Sequence, residues 1–267
     1  MGGGWLGRVA RRLLCSPQAQ GMSVADPRIS SMTRGTILAM GGGGFSMEPD
    51  NPLLDDFLLS LVSSGATPRV CFLPTASGDS DGYIQRFEQA FASPRARTSV
   101  LSLFPREHSD LRSFVLSQDI VYVGGGNTAN LLALWRLHGL GDILIEALSA
   151  GVVLAGLSAG MNCWFQGSVT DSFGVDELHP LDDGLGVLEG SACPHYDGEE
   201  QRRPTYLDLV ATDRLPAGFA ADDGCALLFR DGQLAEAVSS RSGARAFLVH
   251  NSNGVAVEEP IPVRYLG

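Results

Sequence analysis

The chain has 267 residues, 44% hydrophobic and 18% charged, and a formal net charge of −11. That is enough apolar material for one sizeable core, and the acidic balance offers no basic footprint to a nucleic acid. No apolar run reaches the length of a membrane span, and five scattered cysteines without C-x-x-C spacing argue against a disulfide framework and a zinc site and for the reducing cytoplasm.

Residues 1–33 are expected to form a disordered extension ahead of a single α/β domain over 34–267. Arg8, Arg11 and Arg12 with a Gly-rich start give a basic, acid-poor segment, and Leu13–Cys15 is too short for a secretory apolar region. Met22 or Met32 would serve equally as the start.

Thr36 to Met40 reads as the first strand and runs into Gly41–Gly44. Leu53, Leu54, Phe57, Leu58, Leu61 and Val62 fall at helical spacing. Arg69 to Leu73 is a second buried strand, stopped by Pro74, and Ile84, Phe87, Ala90 and Phe91 mark a second helix. Ser99 to Phe104 reads as a strand, Leu111 to Leu116 as a helix, and Asp119 to Val123 as a strand that ends in Gly124-Gly125-Gly126-Asn127. Ala129 to Leu137 is a helix closed by Gly139, and Asp142 to Ala150 is another. Strand alternating with helix predicts right-handed βαβ units, a mostly parallel sheet with helices on both faces, and a ligand crevice at the strands' carboxyl ends. Beyond Gly167 the signals weaken. Asp171 to Asp183 reads as a loop over the crevice and Tyr206 to Val210 as a short helix. Cys225–Phe229 and Leu234–Val238 flank Arg230-Asp231-Gly232 as a hairpin, and Ala246 to His250 is a last strand. These C-terminal strands are expected to join the sheet as antiparallel edges.

The chemistry centres on Gly151 to Gly167. Val152 to Ala155 is a short apolar strand, followed by Gly156-Leu157-Ser158-Ala159-Gly160 and a helix opener. Strand, G-x-S-x-G, helix is the context of a nucleophile elbow, where a tight turn lifts the serine hydroxyl above the sheet edge. The amide of Ala159 is then placed to stabilise an oxyanion. A serine needs a base, and the base needs an orienting acid. His195, in Cys193-Pro194-His195-Tyr196-Asp197, is the first choice of base and His179 the second. For the acid, Asp171 is preferred, with Asp176, Glu177, Asp197 and Glu199 as competitors. Gly124–Ala129 matches G-x-G-x-x-A, but it follows a late strand and lacks a strand-end acid downstream, so a dinucleotide is not expected. As a surface beside the elbow, its Gly126 amide can supply the second oxyanion donor. Asn127, Arg202 and Arg203 are the candidate substrate contacts, the two arginines as partners for a carboxylate. No metal site and no cofactor are expected.

Taken together, GGGNT after a strand, SAG-N (Ser158, Ala159, Gly160, Asn162) and Pro194-His195 resemble the peptidase E and cyanophycinase family of serine peptidases, over about Thr36 to Val249. The resemblance implies a flavodoxin-like, class I glutamine amidotransferase-like fold. It also implies Ser158 as nucleophile, His195 as general base and Gly126 with Ala159 as oxyanion hole. Peptidase E hydrolyses dipeptides with N-terminal aspartate, and cyanophycinase cleaves β-aspartyl-arginine. The expected function is hydrolysis of small peptides, with a non-peptide ester or amide hydrolase, or a catalytically silent binding protein of the same fold, as alternatives. The expected partner is a small peptide substrate, with a homodimer left open.

Overall fold

The computed structural model describes residues 34–62, 65–174 and 177–267. The expected extension over 1–33 and the candidate acid Asp176 lie outside the described residues. Two sheets organise the rest. The larger has eight strands in the order β14-β11-β10-β1-β5-β4-β2-β3. Its parallel part is β1 (Thr36–Met40), β2 (Arg69–Leu73), β3 (Arg97–Val100), β4 (Ile120–Val123) and β5 (Val153–Leu157). The chain steps outward from β2 to β3, then returns to place β4 and β5 on β2's other side. That reversal opens a crevice at the carboxyl ends of the strands, the flavodoxin-like arrangement.

Strand periodicity sends alternate residues to opposite faces. Leu38, Met40, Phe72 and Tyr122 pack under α1 (Gly44–Met47), α2 (Leu53–Ser60) and α3 (Asp81–Ala90). Ile37, Ala39, Cys71 and Val121 pack on the other face with α4 (Leu111–Leu116), α5 (Thr128–His138) and α6 (Leu140–Ser149). Gly139 adopts the left-handed conformation between α5 and α6 (φ 65°), as its C′ role requires.

Of the C-terminal strands, β10 (Cys225–Arg230) extends the large sheet as the antiparallel neighbour of β1, and β11 (Gln233–Ser239) pairs antiparallel with β10. The strand expected at Ala246 to His250 does not join this sheet. A second, six-stranded sheet has the order β13-β12-β9-β8-β6-β7. It is built from β6 (Phe165–Thr170), β7 (His179–Leu181), β8 (Leu188–Cys193), β9 (Gly218–Ala221), β12 (Ala246–Ser252) and β13 (Val255–Ile261), while β14 (Val263–Tyr265) returns to the large sheet. Phe165, Leu188, Phe219 and Leu248 bury one face of this sheet against the α4–α6 side of the first. Its other face holds Val169, Cys193, Tyr196, Ala220 and Phe247 against α8 (Arg202–Ala211). The chain expected to form a loop over the crevice, 171–183, therefore contains a strand. Among the described residues no helix is long and apolar enough to cross a membrane.

Candidate active site

Ser158 follows β5 directly, with φ 56° and ψ −114°, a strained conformation for a residue with a side chain. Two glycines make that turn possible. A Cβ on Gly156 would lie 2.3 Å from the carbonyl oxygen of Gly160, and one on Gly160 would lie 2.4 Å from that of Val123. Neither position has room for any other residue. The Ser158 amide donates to the Met40 carbonyl at the end of β1 (3.1 Å), and its carbonyl accepts from Met161 and Asn162 in the single-turn helix α7 (Ala159–Asn162). The hydroxyl has no hydrogen-bond partner among the described residues. Catalytic contacts of this kind often tighten only with substrate present.

The second sheet delivers His195. β8 and β9 run parallel with Cys193 opposite Ala220, so the residues just past each strand are brought together. His195 Nδ1 lies 2.6 Å from Asp223 Oδ1, and each side chain is only 12% exposed. The two sheets are tied at this point. The His195 amide donates to the Gly41 carbonyl (3.0 Å), and the Gly224 amide donates to that of Gly42 (3.2 Å). Ser158 and His195 are thus each hydrogen-bonded to the same short stretch that ends β1. Gly42 touches the pair itself, since a Cβ there would fall 2.1 Å from Asp223 Oδ1 and 3.1 Å from His195 Cε1.

Asp223 replaces Asp171 as the carboxylate on the histidine. Asp171 is 56% exposed and faces Arg202 at 3.6 Å. Of the competitors, Asp197 supports the pair by accepting the Asp223 amide (2.8 Å), Glu199 is bound to Arg202, and Glu177 to His179 (3.4 Å). His179 is spent on that contact and on the Phe173 ring. Asp222, next to Asp223, is buried and takes the Arg245 amide and Nε at 2.9 and 3.1 Å, which anchors the turn.

The glycine loop after β4 lies against the serine, with Gly125 close enough that a Cβ on it would be 3.2 Å from Ser158 Cβ. Three of its four amides are occupied. Gly124 donates to the Leu73 carbonyl (3.0 Å), Gly125 to the Tyr83 hydroxyl (3.1 Å) and Asn127 to the Ala76 carbonyl (2.8 Å). The amide of Gly126 has no acceptor among the described residues, and the residue is exposed with φ 135°. Ala159, first in α7, has no intrahelical acceptor for its amide either. Two open amides therefore flank the serine.

The other expected contacts are engaged within the protein. The Asn127 side chain caps α5 by accepting from the Asn130 amide (2.8 Å) and donates to the Ser172 carbonyl (3.0 Å). Arg202 is buried, bound to Glu199 Oε2 (2.5 Å) and the Val169 carbonyl (3.1 Å). Arg203 pairs with Glu258 (2.7 Å) over the rings of Tyr196 and Phe247. Both arginines serve the second sheet's packing. The nearby cysteines are not rival nucleophiles. Burial pushes the thiol of Cys163 far above its ordinary range and that of Cys225 up to about 12.

The model of Peptidase family S51 matches residues 37–237 of this chain. The chain belongs to peptidase family S51. It is 56% identical to the uncharacterized peptidase YgaJ of Bacillus subtilis over 86% of this chain and 99% of that protein. It is 27% identical to Peptidase E of Shewanella denitrificans over 66% of this chain and 77% of that one. The crystal structure of a peptidase from an acI-B1 Actinobacterium has the same fold, with a TM-score of 0.64 and 20% identity over 87% of this chain and 95% of that chain. The family member described here is a peptidase, and its fold is that of its structural relatives.

Proposed function

We propose that this S51 peptidase hydrolyses small peptides through Ser158, His195 and Asp223, and that dipeptides with N-terminal aspartate are the first substrates to test. The observation that carries the reading is the 2.6 Å contact between His195 Nδ1 and Asp223 Oδ1, made where the second sheet meets the end of β1 beside the serine elbow. With Asp223 accepting Nδ1–H, the imidazole is held in the tautomer whose Nε2 can take a proton.

The steps follow from these groups. Ser158 Oγ attacks the substrate carbonyl while His195 Nε2 takes its proton. Negative charge develops on the carbonyl oxygen, where the amides of Gly126 and Ala159 receive it. His195 returns the proton to the departing amine, leaving an acyl ester on Ser158. Water, deprotonated by the same imidazole, then releases the acid. The low exposure of His195 and Asp223 favours a short chain end over a segment of folded protein.

Ser158→Ala tests the reading on a panel of Asp-X and other X-X dipeptides. In characterised triads, loss of the serine costs about 10⁶ in kcat. The expected result is loss of turnover on every substrate with the fold unchanged. Activity within tenfold of wild type would overturn the mechanism, and cleavage of the other dipeptides in preference to Asp-X would overturn the aspartyl assignment.

A further inference from the structure

Tyr83 takes no part in the steps above, yet its position bears on them. It lies on α3, 6% exposed, with its ring against Phe45 and Phe72 at centroid distances of 5.5 and 5.1 Å. The ring supports the glycine loop from below, since a Cβ on Gly124 would meet Tyr83 Cε1 at 3.0 Å and Phe72 Cζ at 2.9 Å. Its hydroxyl accepts the Gly125 amide at 3.1 Å.

That last bond decides how the loop presents its amides. Gly124 and Asn127 bind main-chain carbonyls of the segment that begins with β2, and Gly125 alone relies on a side chain. With Gly125 turned toward the tyrosine, Gly126 is left as the amide open to the crevice. Without the phenol oxygen, the part-buried Gly125 N–H loses the acceptor it has among the described residues, a state polar groups avoid. The loop has three consecutive glycines and little to resist a peptide rotation toward another acceptor.

We propose that Tyr83 is a positioning residue for the oxyanion hole, acting through Gly125 to hold the Gly126 amide toward the carbonyl under attack. This rests on the serine mechanism proposed above. The contribution belongs to the transition state, so it falls on kcat rather than on substrate affinity.

Tyr83→Phe removes only the hydroxyl. The expected result is a fall in kcat of about 10- to 100-fold, below the loss seen when a donor itself is deleted. KM should stay within twofold, the rate at which a fluorophosphonate labels Ser158 should fall in parallel with kcat, and the pH profile should keep its midpoint. A kcat within twofold of wild type, or a rise in KM at unchanged kcat, overturns the proposal. Amide exchange in the unaltered protein gives an independent test if the variant does not fold. Gly125 should be protected throughout, and Gly126 should be unprotected in the free enzyme and protected after phosphonylation of Ser158. An unprotected Gly125, or a Gly126 unaffected by labelling, contradicts it. If Ser158→Ala is inactive while Tyr83→Phe is fully active, this inference alone fails. If Ser158→Ala remains active, the underlying mechanism fails instead.

Discussion

Gly42→Ala adds one methyl group at the point where the two sheets meet. The new carbon would fall 2.1 Å from Asp223 Oδ1, the oxygen that holds His195. A carbon–oxygen contact settles near 3.2 Å, so the carboxylate must retreat by about 1 Å. It cannot do so freely, because its other oxygen already lies close to Gly198, where a Cβ would be 2.4 Å away. The carboxylate is wedged between two glycines, and the histidine contact is what gives way. A 1 Å misplacement in catalytic geometry costs about 10²-fold, and complete loss of the orienting acid about 10⁴-fold. kcat/KM should therefore fall by about 10² to 10⁴, or about 3–5 kcal/mol of transition-state stabilisation. Initial rates of amine release from a cleavable dipeptide measure this, with circular dichroism and thermal melting to confirm folding. Gly65→Ala is the control, since no atom lies within 4 Å of a Cβ there. A Gly42→Ala protein with kcat/KM within threefold of wild type and an unchanged melting temperature would refute the argument.

Two further outcomes concern stability. Burial raises the carboxyl of Asp55 from 3.8 to about 7, against the opposing pull of Arg95, and leaves its Oδ1 without a partner. The folded protein then keeps a proton that the unfolded chain releases between those values. The contribution of this one group to stability is therefore fully present below about pH 4 and is lost as pH rises through about 7, by up to about 4 kcal/mol. Asp55→Asn should flatten this profile and melt at higher temperature than wild type at pH 8; parallel profiles for the two proteins would contradict the assignment. Arg202→Ala should lower stability by about 1–3 kcal/mol, because the guanidinium holds the Val169 carbonyl inside the second sheet. KM should not change in that variant, and a tenfold rise in KM at unchanged melting temperature would restore Arg202 as a substrate contact.

In the large sheet β1, β2, β4 and β5 were legible because they are continuous apolar runs between helices with apolar faces at 3.6-residue spacing, whereas β3, Arg-Thr-Ser-Val, carries no such run and was expected two residues later, at Ser99–Phe104. Phe165–Thr170 and Leu188–Cys193 carry no such pattern. They are buried through small residues instead: a Cβ on Gly218 would lie 2.0 Å from the Ser191 carbonyl oxygen, and one on Gly190 would lie 2.3 Å from that of Ala217. Close backbone contact replaced side-chain periodicity, so the second sheet went unseen. The serine elbow and the two open amides are local, formed by residues close together in the sequence, so their members could be named from it. The acid is not local. Asp223 sits in Asp222-Asp223-Gly224 between two apolar runs and reads as a surface hairpin turn, with Gly224 at φ 74°. Its role depends on the β8–β9 register, which the unseen sheet sets. Arg202 did leave a signal. Arg202, Tyr206, Leu209 and Val210 share one helical face, and all four are buried.

The choice between the two aspartates is the most direct test of the whole account. Asp223→Asn and Asp171→Asn should be assayed side by side on one dipeptide substrate. Asp223→Asn is expected to lower kcat by about 10⁴ with the fold retained, and Asp171→Asn to remain within threefold of wild type. A large loss in Asp171→Asn with near-normal turnover in Asp223→Asn would show that the histidine draws its orienting charge from elsewhere.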